Sequence, residues 1–165
     1  MPAQAALSEA EYLRTSFPGV DREYRDGEVV ERSVPNKSHG KTVYAISGLF
    51  FSLRPLRRVF GLTETRVRIR AGRYLVPDFA VYREEPAGEV PETPPLIVAE
   101  VLSPSDSLHD VRRKLAEYRE WGVPHVWLVE PDARVLQVYD GVLREVDSYH
   151  VPELGLTIRG GDLFG

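Results

Sequence analysis

The sequence contains no cysteine among its 165 residues. This absence excludes a disulfide framework, a zinc site built from thiolates and a cysteine nucleophile. No apolar run approaches the roughly 20 residues that a membrane helix needs. The first residues, 1–7, lack the basic region and the long apolar core of a signal peptide. We therefore expect a cytoplasmic protein that does not associate with a membrane.

Several functional signatures are also missing. The chain has no P-loop, no GxGxxG motif and no histidine cluster with zinc spacing. It has no internal repeat, low-complexity tract or linker, so we expect one domain over residues 1–165. Hydrophobic residues make up 42% and charged residues 28%, which is enough apolar material for a packed core.

The charge of the chain is unevenly distributed. A formal net charge of −4 argues against nonspecific coating of nucleic acid, which usually needs a basic protein. It does not argue against a nuclease, which needs only a local carboxylate cluster and a local basic surface. Between Arg54 and Arg73 there are seven arginines and a single acid, Glu64.

Hydrophobic periodicity and turn residues predict helices and strands in alternation. The predicted helices start after Ser8, at His39 and at about Leu108. The predicted strands and hairpins cover 23–30, 65–70, 79–82, 96–102, 125–129 and 134–147, and the last residues are expected to add one edge strand. This order predicts an α/β (α+β) fold with a central mixed β-sheet flanked by helices.

Glu100 is the most informative residue of the sequence. It lies within the apolar run 96–102, which is typical of a strand buried on both faces. A carboxylate buried there is unfavourable unless it is paired, protonated or bound to a cation. Asp78 begins another predicted strand directly after Pro77. If the two strands are neighbours, the carboxylates can converge at one sheet edge and bind Mg²⁺, which prefers oxygen ligands.

A purely structural explanation also exists for each acid, because a carboxylate can cap a turn or pair with an arginine. For Asp78 alone this explanation is the better one. For Glu100 alone the two explanations are balanced. The two acids together favour a functional pair, since a bound metal can generate hydroxide and stabilise charge on a phosphodiester.

The motifs around these acids resemble the PD-(D/E)XK nuclease superfamily and, more narrowly, the Uma2 family of restriction endonucleases. The resemblance covers roughly residues 23–146. It rests on segments 23–28, 76–78, 97–105, 114–118 and 121–129, of which Glu-Val-Leu-Ser-Pro-Ser at 100–105 is the most specific.

The resemblance implies a restriction-endonuclease-like core and metal-dependent hydrolysis of DNA, with Mg²⁺ or Mn²⁺ held by Asp78 and Glu100. The superfamily motif has lysine two residues after the second acid, where this chain has Leu102. In related members the basic residue moves to the following helix, where Lys114 lies. Its alternative role is a solvated helix lysine paired with Asp110 or Glu117.

Two further residues are candidate accessory groups. Glu23 fits the early acid of the resembled family better than Glu28 does, although either could be ordinary hairpin surface. His39 lies at a position that is polar in the family, but a lone histidine is more often structural.

Arg66, Arg68 and Arg70 alternate with apolar residues and form a candidate phosphate-binding track. The alternative is an exposed strand face balanced by nearby acids. Cleavage of both DNA strands needs two active sites, so we also expect a homodimer. Other functions that fit the sequence are an inactive nuclease-fold module for binding or assembly, and a nuclease that acts on RNA.

Overall fold

The computed structural model describes residues 6–165, and residues 1–5 of the segment considered for a signal peptide lie outside it. The helices are α1 (Glu9–Arg14), α2 (Lys37–Leu53) and α3 (Leu108–Trp121). The strands are β1 (Glu23–Arg25), β2 (Glu28–Val30), β3 (Phe60–Thr63), β4 (Val67–Arg70), β5 (Arg73–Leu75), β6 (Phe79–Tyr82), β7 (Ile97–Val101), β8 (His125–Glu130), β9 (Val135–Tyr139), β10 (Leu143–Val146), β11 (Ser148–Val151) and β12 (Leu156–Arg159). Among the described residues, no helix has the length and apolar character needed to cross a bilayer.

A six-stranded mixed sheet with the order β10-β9-β8-β7-β6-β3 forms the centre of the protein. Its one parallel pair is β7 with β8, which α3 connects as a crossover helix. Ile46 and Phe50 of α2 belong to the core on one face, and Leu115 and Tyr118 of α3 belong to the core on the other. The predicted fold class, a central mixed sheet flanked by helices, is confirmed.

The helices begin where their capping residues predict. Ser8 and Glu11 form the reciprocal capping box expected at the start of α1. The side chain of Asn36 accepts a hydrogen bond from the backbone N–H of His39, so α2 begins at Lys37, two residues before the predicted start. Ser107 caps α3 in the same way. This local chemistry fixes the entry of α2 and α3 beside the central sheet.

Two aspects of the predicted strands are corrected by the structure. The last residues do not add an edge strand to the central sheet, because β11 and β12 pair with each other as a separate hairpin. A second sheet with the order β2-β1-β5-β4 was also not predicted. Its strand β5 has only three residues, all buried, and so shows no alternating pattern.

Strand β3 was missed because it contains Gly61, a residue that is depleted in strands. A Cβ at this position would lie 3.0 Å from Cζ of Phe79 on the neighbouring strand. The glycine therefore lets the Phe79 ring pack across β3, which is a reason that only the folded structure reveals.

Two glycine substitutions are expected to change stability in opposite directions. Gly122 ends α3 with a φ of 108°, so Gly122→Ala should lower the free energy of unfolding by about 1 kcal/mol. Gly48 lies inside α2 with open space where a Cβ would be, so Gly48→Ala should raise it by about 0.5–1 kcal/mol. Urea denaturation of both variants measures the two changes in the free energy of unfolding. If both changes have the same sign, this explanation is contradicted.

Candidate active site

The pairing of β6 with β7 brings Asp78 and Glu100 together. Phe79 pairs with Ala99 and Ala80 with Val98 in an antiparallel register. Continuing this register by one residue places Asp78 opposite Glu100. Directly opposite residues of an antiparallel pair point to the same face, with Cβ atoms about 4.5–5.5 Å apart. The two acids are thus neighbours on one face of the sheet, as the sequence predicted, and both are buried.

Three donors surround the carboxylate of Asp78. Oδ2 accepts a hydrogen bond from the backbone N–H of Val101 at 2.8 Å and lies 3.3 Å from Nε2 of His39. Oδ1 accepts from Nη2 of Arg32 at 2.8 Å. Burial by itself would raise the pKa of Asp78, but the hydrogen bond from His39 and the charges of Lys114 and Arg32 outweigh it and hold the pKa below its ordinary value. Asp78 is therefore ionised at neutral pH.

Glu100 has fewer partners. Its Oε1 accepts a hydrogen bond from the Tyr118 hydroxyl at 2.7 Å and lies 3.0 Å from Nζ of Lys114. Burial raises the pKa of Glu100 to about 8, because the Lys114 charge and the Tyr118 hydrogen bond compensate it only in part. No hydrogen bond from the described residues reaches Oε2. This carboxylate therefore favours an additional cation in its surroundings.

Lys114 points from α3 into this acidic cluster. Its Nζ lies 2.7 Å from Oε1 of Glu23 and donates to the carbonyl oxygen of Val76 at 3.2 Å, in addition to its contact with Glu100. Burial disfavours the ammonium, but Glu100 and Glu23 outweigh burial and raise the pKa of Lys114 above its ordinary value. Lys114 therefore stays charged within the cluster.

The alternative pairings considered for Lys114 do not occur. Asp110 pairs with Arg113, and Glu117 pairs with Arg73. The basic residue on the third helix thus belongs to the same cluster as the two acids. Glu23 belongs to it as well, since its Oε1 also accepts from the backbone N–H of Val76 at 3.2 Å.

These groups line a cleft of about 270 Å³. Its walls combine buried acids with the partly buried cations Arg32 and Lys114, and Ser33 and Ser105 also line it. The residues of the cluster that line it are Glu23, Arg32, His39, Asp78, Glu100 and Lys114. A cleft of this composition suits a charged substrate better than an apolar ligand.

The donor set fits a hard cation held by few protein ligands. Mg²⁺ is usually bound through one or two carboxylates and keeps several waters for exchange with substrate oxygens. Asp78 and Glu100 provide two neighbouring carboxylates, and Oε2 of Glu100 has no bond from the described protein atoms. Within residues 6–165 there is no group of three or more His, Asp or Glu side chains arranged to hold a metal ion. The pair therefore fits Mg²⁺ or Mn²⁺ better than a fully protein-enclosed ion.

The predicted arginine track lies away from the cleft. Arg66 pairs with Asp21, Arg68 with Glu9 and Glu92, and Arg70 with Asp26. This arrangement matches the alternative stated for the track, a strand face balanced by nearby acids. A role of these arginines in binding nucleic acid stays a prediction.

No pattern in the sequence indicated Arg32 or the role of Tyr118. Arg32 lies between two predicted elements and reaches Asp78 from 46 positions away. Tyr118 is buried on α3, and its hydroxyl donates a hydrogen bond to Glu100. A buried tyrosine usually finds a partner for its hydroxyl, and this general rule was the only signal available.

A family model and a solved structure each match nearly the whole chain. The sequence model of the family described as "Uma2: Putative restriction endonuclease" matches residues 9–163. A crystal structure from Anabaena variabilis ATCC 29413, described as "a putative nuclease belonging to DUF820", has a TM-score of 0.82 to this structure at 22% identity. That similarity covers 96% of this chain and 97% of that chain, and it shows a shared fold. No curated protein matches the chain.

Proposed function

Because the chain belongs to the Uma2 family, we propose that it is a metal-dependent nuclease that hydrolyses phosphodiester bonds of DNA. One observation carries the proposal. Asp78 and Glu100 are neighbours on one sheet face in a cleft, with Nζ of Lys114 3.0 Å from Glu100. Two neighbouring carboxylates can hold the metal ion of a metal-assisted phosphodiester hydrolysis, and a cation beside them can stabilise the charge that develops on the phosphate.

The metal-binding residues in this proposal are Asp78 and Glu100. A bound Mg²⁺ or Mn²⁺ supplies a water of lowered pKa and an electrophile for the phosphate oxygens. The two acids have different roles before substrate enters. The partners of Asp78 fix its position and its charge. Glu100 supplies the carboxylate whose second oxygen is free of hydrogen bonds from the described chain.

Lys114 is the proposed catalytic cation. Its ammonium lies beside Glu100 at the cleft, where it can stabilise the negative charge that develops on the phosphate group. Glu23 acts as a positioning residue, because its contact at 2.7 Å keeps the ammonium at this place. His39 is likewise a positioning residue, since it contacts Asp78 directly.

Lys114→Met should separate the role of the lysine from that of the metal pair. We expect the rate of DNA cleavage to fall by about 100-fold or more, since a preorganised charge at the reacting group is lost. The affinity for Mn²⁺ should not fall, because a competing cation beside Glu100 is removed. Single-turnover cleavage and Mn²⁺ titration measure the two effects, and a variant that cleaves at the wild-type rate would remove Lys114 from the mechanism.

One observation favours a second function, a non-catalytic binding or assembly module. Both oxygens of Asp78 already have protein partners, Arg32 on one and Val101 with His39 on the other. A site that is electrostatically complete in this way could be purely structural. The two functions differ in whether the protein turns over a phosphodiester substrate.

Cleavage of supercoiled plasmid in Mg²⁺ or Mn²⁺ decides between them. The wild type should cut the plasmid, EDTA should stop the reaction, and Asp78→Ala and Glu100→Ala should be inactive. Glu120→Ala is the matched control, because Glu120 is an exposed acid at the end of α3 outside the cleft. Activity that survives both cleft substitutions would refute the assignment, and cleavage of RNA in place of DNA would correct the substrate.

The proposal includes a homodimer, because cutting both strands of a duplex at one place requires two active sites. Two-fold symmetry is the commonest way to supply them. Light scattering of the purified protein should give twice the chain mass of 18.6 kDa. A monomer that cuts both strands only in independent events would contradict this part.

A further inference from the structure

Helix α2 has one face in the core and an opposite face in solvent. His39, Thr42, Ile46 and Phe50 are buried on the first face. The second face carries a different set of residues at the spacing i, i+4, i+7, i+11 and i+14, which places them in one stripe along the helix. These exposed residues are Lys37, Lys41, Tyr44, Gly48 and Phe51.

This region has an unusual charge for an acidic protein. No Asp or Glu occurs from Arg32 to Thr63, although the chain has 25 acids against 21 lysines and arginines. Exposed cations lie at both ends of α2 and in the turn after it. They are Lys37, Lys41, Arg54 and Arg58, and we call them the α2 cations.

The α2 cations differ from Arg66, Arg68 and Arg70 in their partners. None of the four takes part in an ion pair within residues 6–165. Arg66, Arg68 and Arg70 are each paired with an acid. A cation that is already paired must lose its partner before it can neutralise a phosphate, whereas the α2 cations can release counterions from a nucleic acid directly.

The N-terminal end of α2 adjoins the cleft. The segment before the helix contributes Ser33 and Pro35 to the cleft walls, and His39 in its first turn contacts Asp78. With 17 residues the helix is about 25 Å long, close to the length of seven base pairs of B-DNA. A duplex whose backbone follows α2 can therefore reach the cleft at the N-terminal end of the helix.

We infer that the exposed face of α2 and the turn after it bind the sugar-phosphate backbone of the DNA duplex. This inference rests on the proposed function, since it assigns the substrate of the Asp78–Glu100 site to a surface. The α2 cations contact phosphates, and the segment 32–63 that carries them contains no acid that would repel the backbone. Arg66, Arg68 and Arg70, each of which is paired with an acid, contribute little to this binding.

A second copy of the chain is the other occupant that an exposed helix face could have, since Tyr44 is 82% and Phe51 73% exposed. A two-fold interface would place the same surface patch on both sides. The α2 cations of the two copies would then face each other without any acid in the segment to compensate them. Such like-charge contacts cost several kcal/mol, whereas a polyanion is stabilised by the same charges.

The test measures the affinity for a labelled DNA duplex by fluorescence anisotropy, in EDTA so that no cleavage occurs. Replacing all four α2 cations with glutamine should weaken binding by roughly 10- to 100-fold at about 0.1 M salt. It should also reduce the slope of log K against log salt concentration by about 3–4, since each lost phosphate contact contributes about 0.9. Equal loss of affinity in the control described next would overturn the inference.

The matched control removes four positive charges elsewhere on the surface. We expect its affinity for DNA to stay within a factor of about three of the wild type, because binding depends on where the charges lie. A parallel variant, Arg68→Gln with Arg70→Gln, should also bind nearly as the wild type does. The control residues are exposed arginines that take part in no ion pair within residues 6–165, each changed to glutamine: Arg14, Arg83, Arg119 and Arg134.

The outcomes distinguish this inference from the proposed function. If the α2 variant binds DNA as the wild type does while the wild type still cuts plasmid, the inference is wrong and the nuclease assignment stands. If binding depends on α2 but no cleavage occurs in any metal, the inference stands and the nuclease assignment fails. If Tyr44→Glu converts a dimer into a monomer and the α2 variant keeps its DNA affinity, the face is a contact between copies and the inference is wrong.

Discussion

Glu100→Gln is expected to reduce metal-dependent DNA cleavage by at least about 100-fold while the protein stays folded. The amide oxygen of glutamine can still accept the hydrogen bond that Tyr118 donates to Oε1, and it can still lie beside Nζ of Lys114. What disappears is the negative charge and the second carboxylate oxygen, which the metal needs. The loss of activity therefore reports on chemistry and does not report on the fold.

The same substitution has a defined effect on the pH dependence of stability in the metal-free protein. Burial in the folded protein raises the pKa of Glu100 from 4.5 to about 8. Between these two pH values the carboxyl is ionised in the unfolded chain and protonated in the folded protein. The free energy of unfolding of the wild type thus falls as pH rises from about 4.5 to 8. Glu100→Gln lacks this titration, so its stability relative to the wild type should be higher at pH 8 than at pH 5 by about 1–3 kcal/mol.

Urea denaturation with a chelator present, at pH 5 and pH 8, measures this difference. Glu120→Gln serves as the control, because Glu120 is exposed and its removal should leave the pH dependence unchanged. A Glu100→Gln protein that is less stable than the wild type by several kcal/mol at pH 8 would show that the carboxylate is a structural group. The functional assignment of Glu100 would then lose its main support.

Asp78→Asn is expected to have the opposite effect on stability. Asp78 accepts from donors at both oxygens, from Arg32 at one and from Val101 and His39 at the other. An asparagine has only one accepting oxygen, so its NH₂ group must face one of these donors. Removing one member of a buried ion pair usually costs about 3–5 kcal/mol, and we expect a loss of this order together with the loss of cleavage.

The unfolding free energies of Asp78→Asn and Glu100→Gln in the same buffer at pH 8 provide the comparison. Asp78→Asn should be clearly less stable than the wild type, whereas Glu100→Gln should be equally or more stable. If Asp78→Asn unfolds at the wild-type urea concentration, the contacts of Arg32 and His39 with Asp78 do not contribute as the structure indicates. The assignment of Asp78 as an anchor of the site would then fail.

The sequence predicted the acidic pair because its physical signal is local. A carboxylate within the apolar run 96–102 is unusual wherever the strand lies, so Glu100 could be identified without knowing its neighbours. The third helix and its first residues were predictable from apolar spacing and from the Ser107 cap. The family resemblance added Lys114, whose side chain the structure places 3.0 Å from Glu100.

The remaining features depend on contacts between distant segments. Arg32 reaches Asp78 across 46 positions, and no local pattern marks it. Strand β5 pairs with β1 and β4 through a three-residue segment whose buried Arg73 is neutralised by Glu117 on α3. A buried arginine looks like a surface residue in the sequence, so both the second sheet and the partners of the cleft required the structure.

The most direct test of the central claim is isothermal titration calorimetry, in which Mn²⁺ is titrated into the metal-free wild type and into metal-free Glu100→Gln. The claim is that Asp78 and Glu100 bind one catalytic metal ion together. The account predicts one Mn²⁺ per chain for the wild type and an affinity at least about 10-fold lower for Glu100→Gln. Equal affinity in the two proteins, or no binding by a folded wild type, would contradict it.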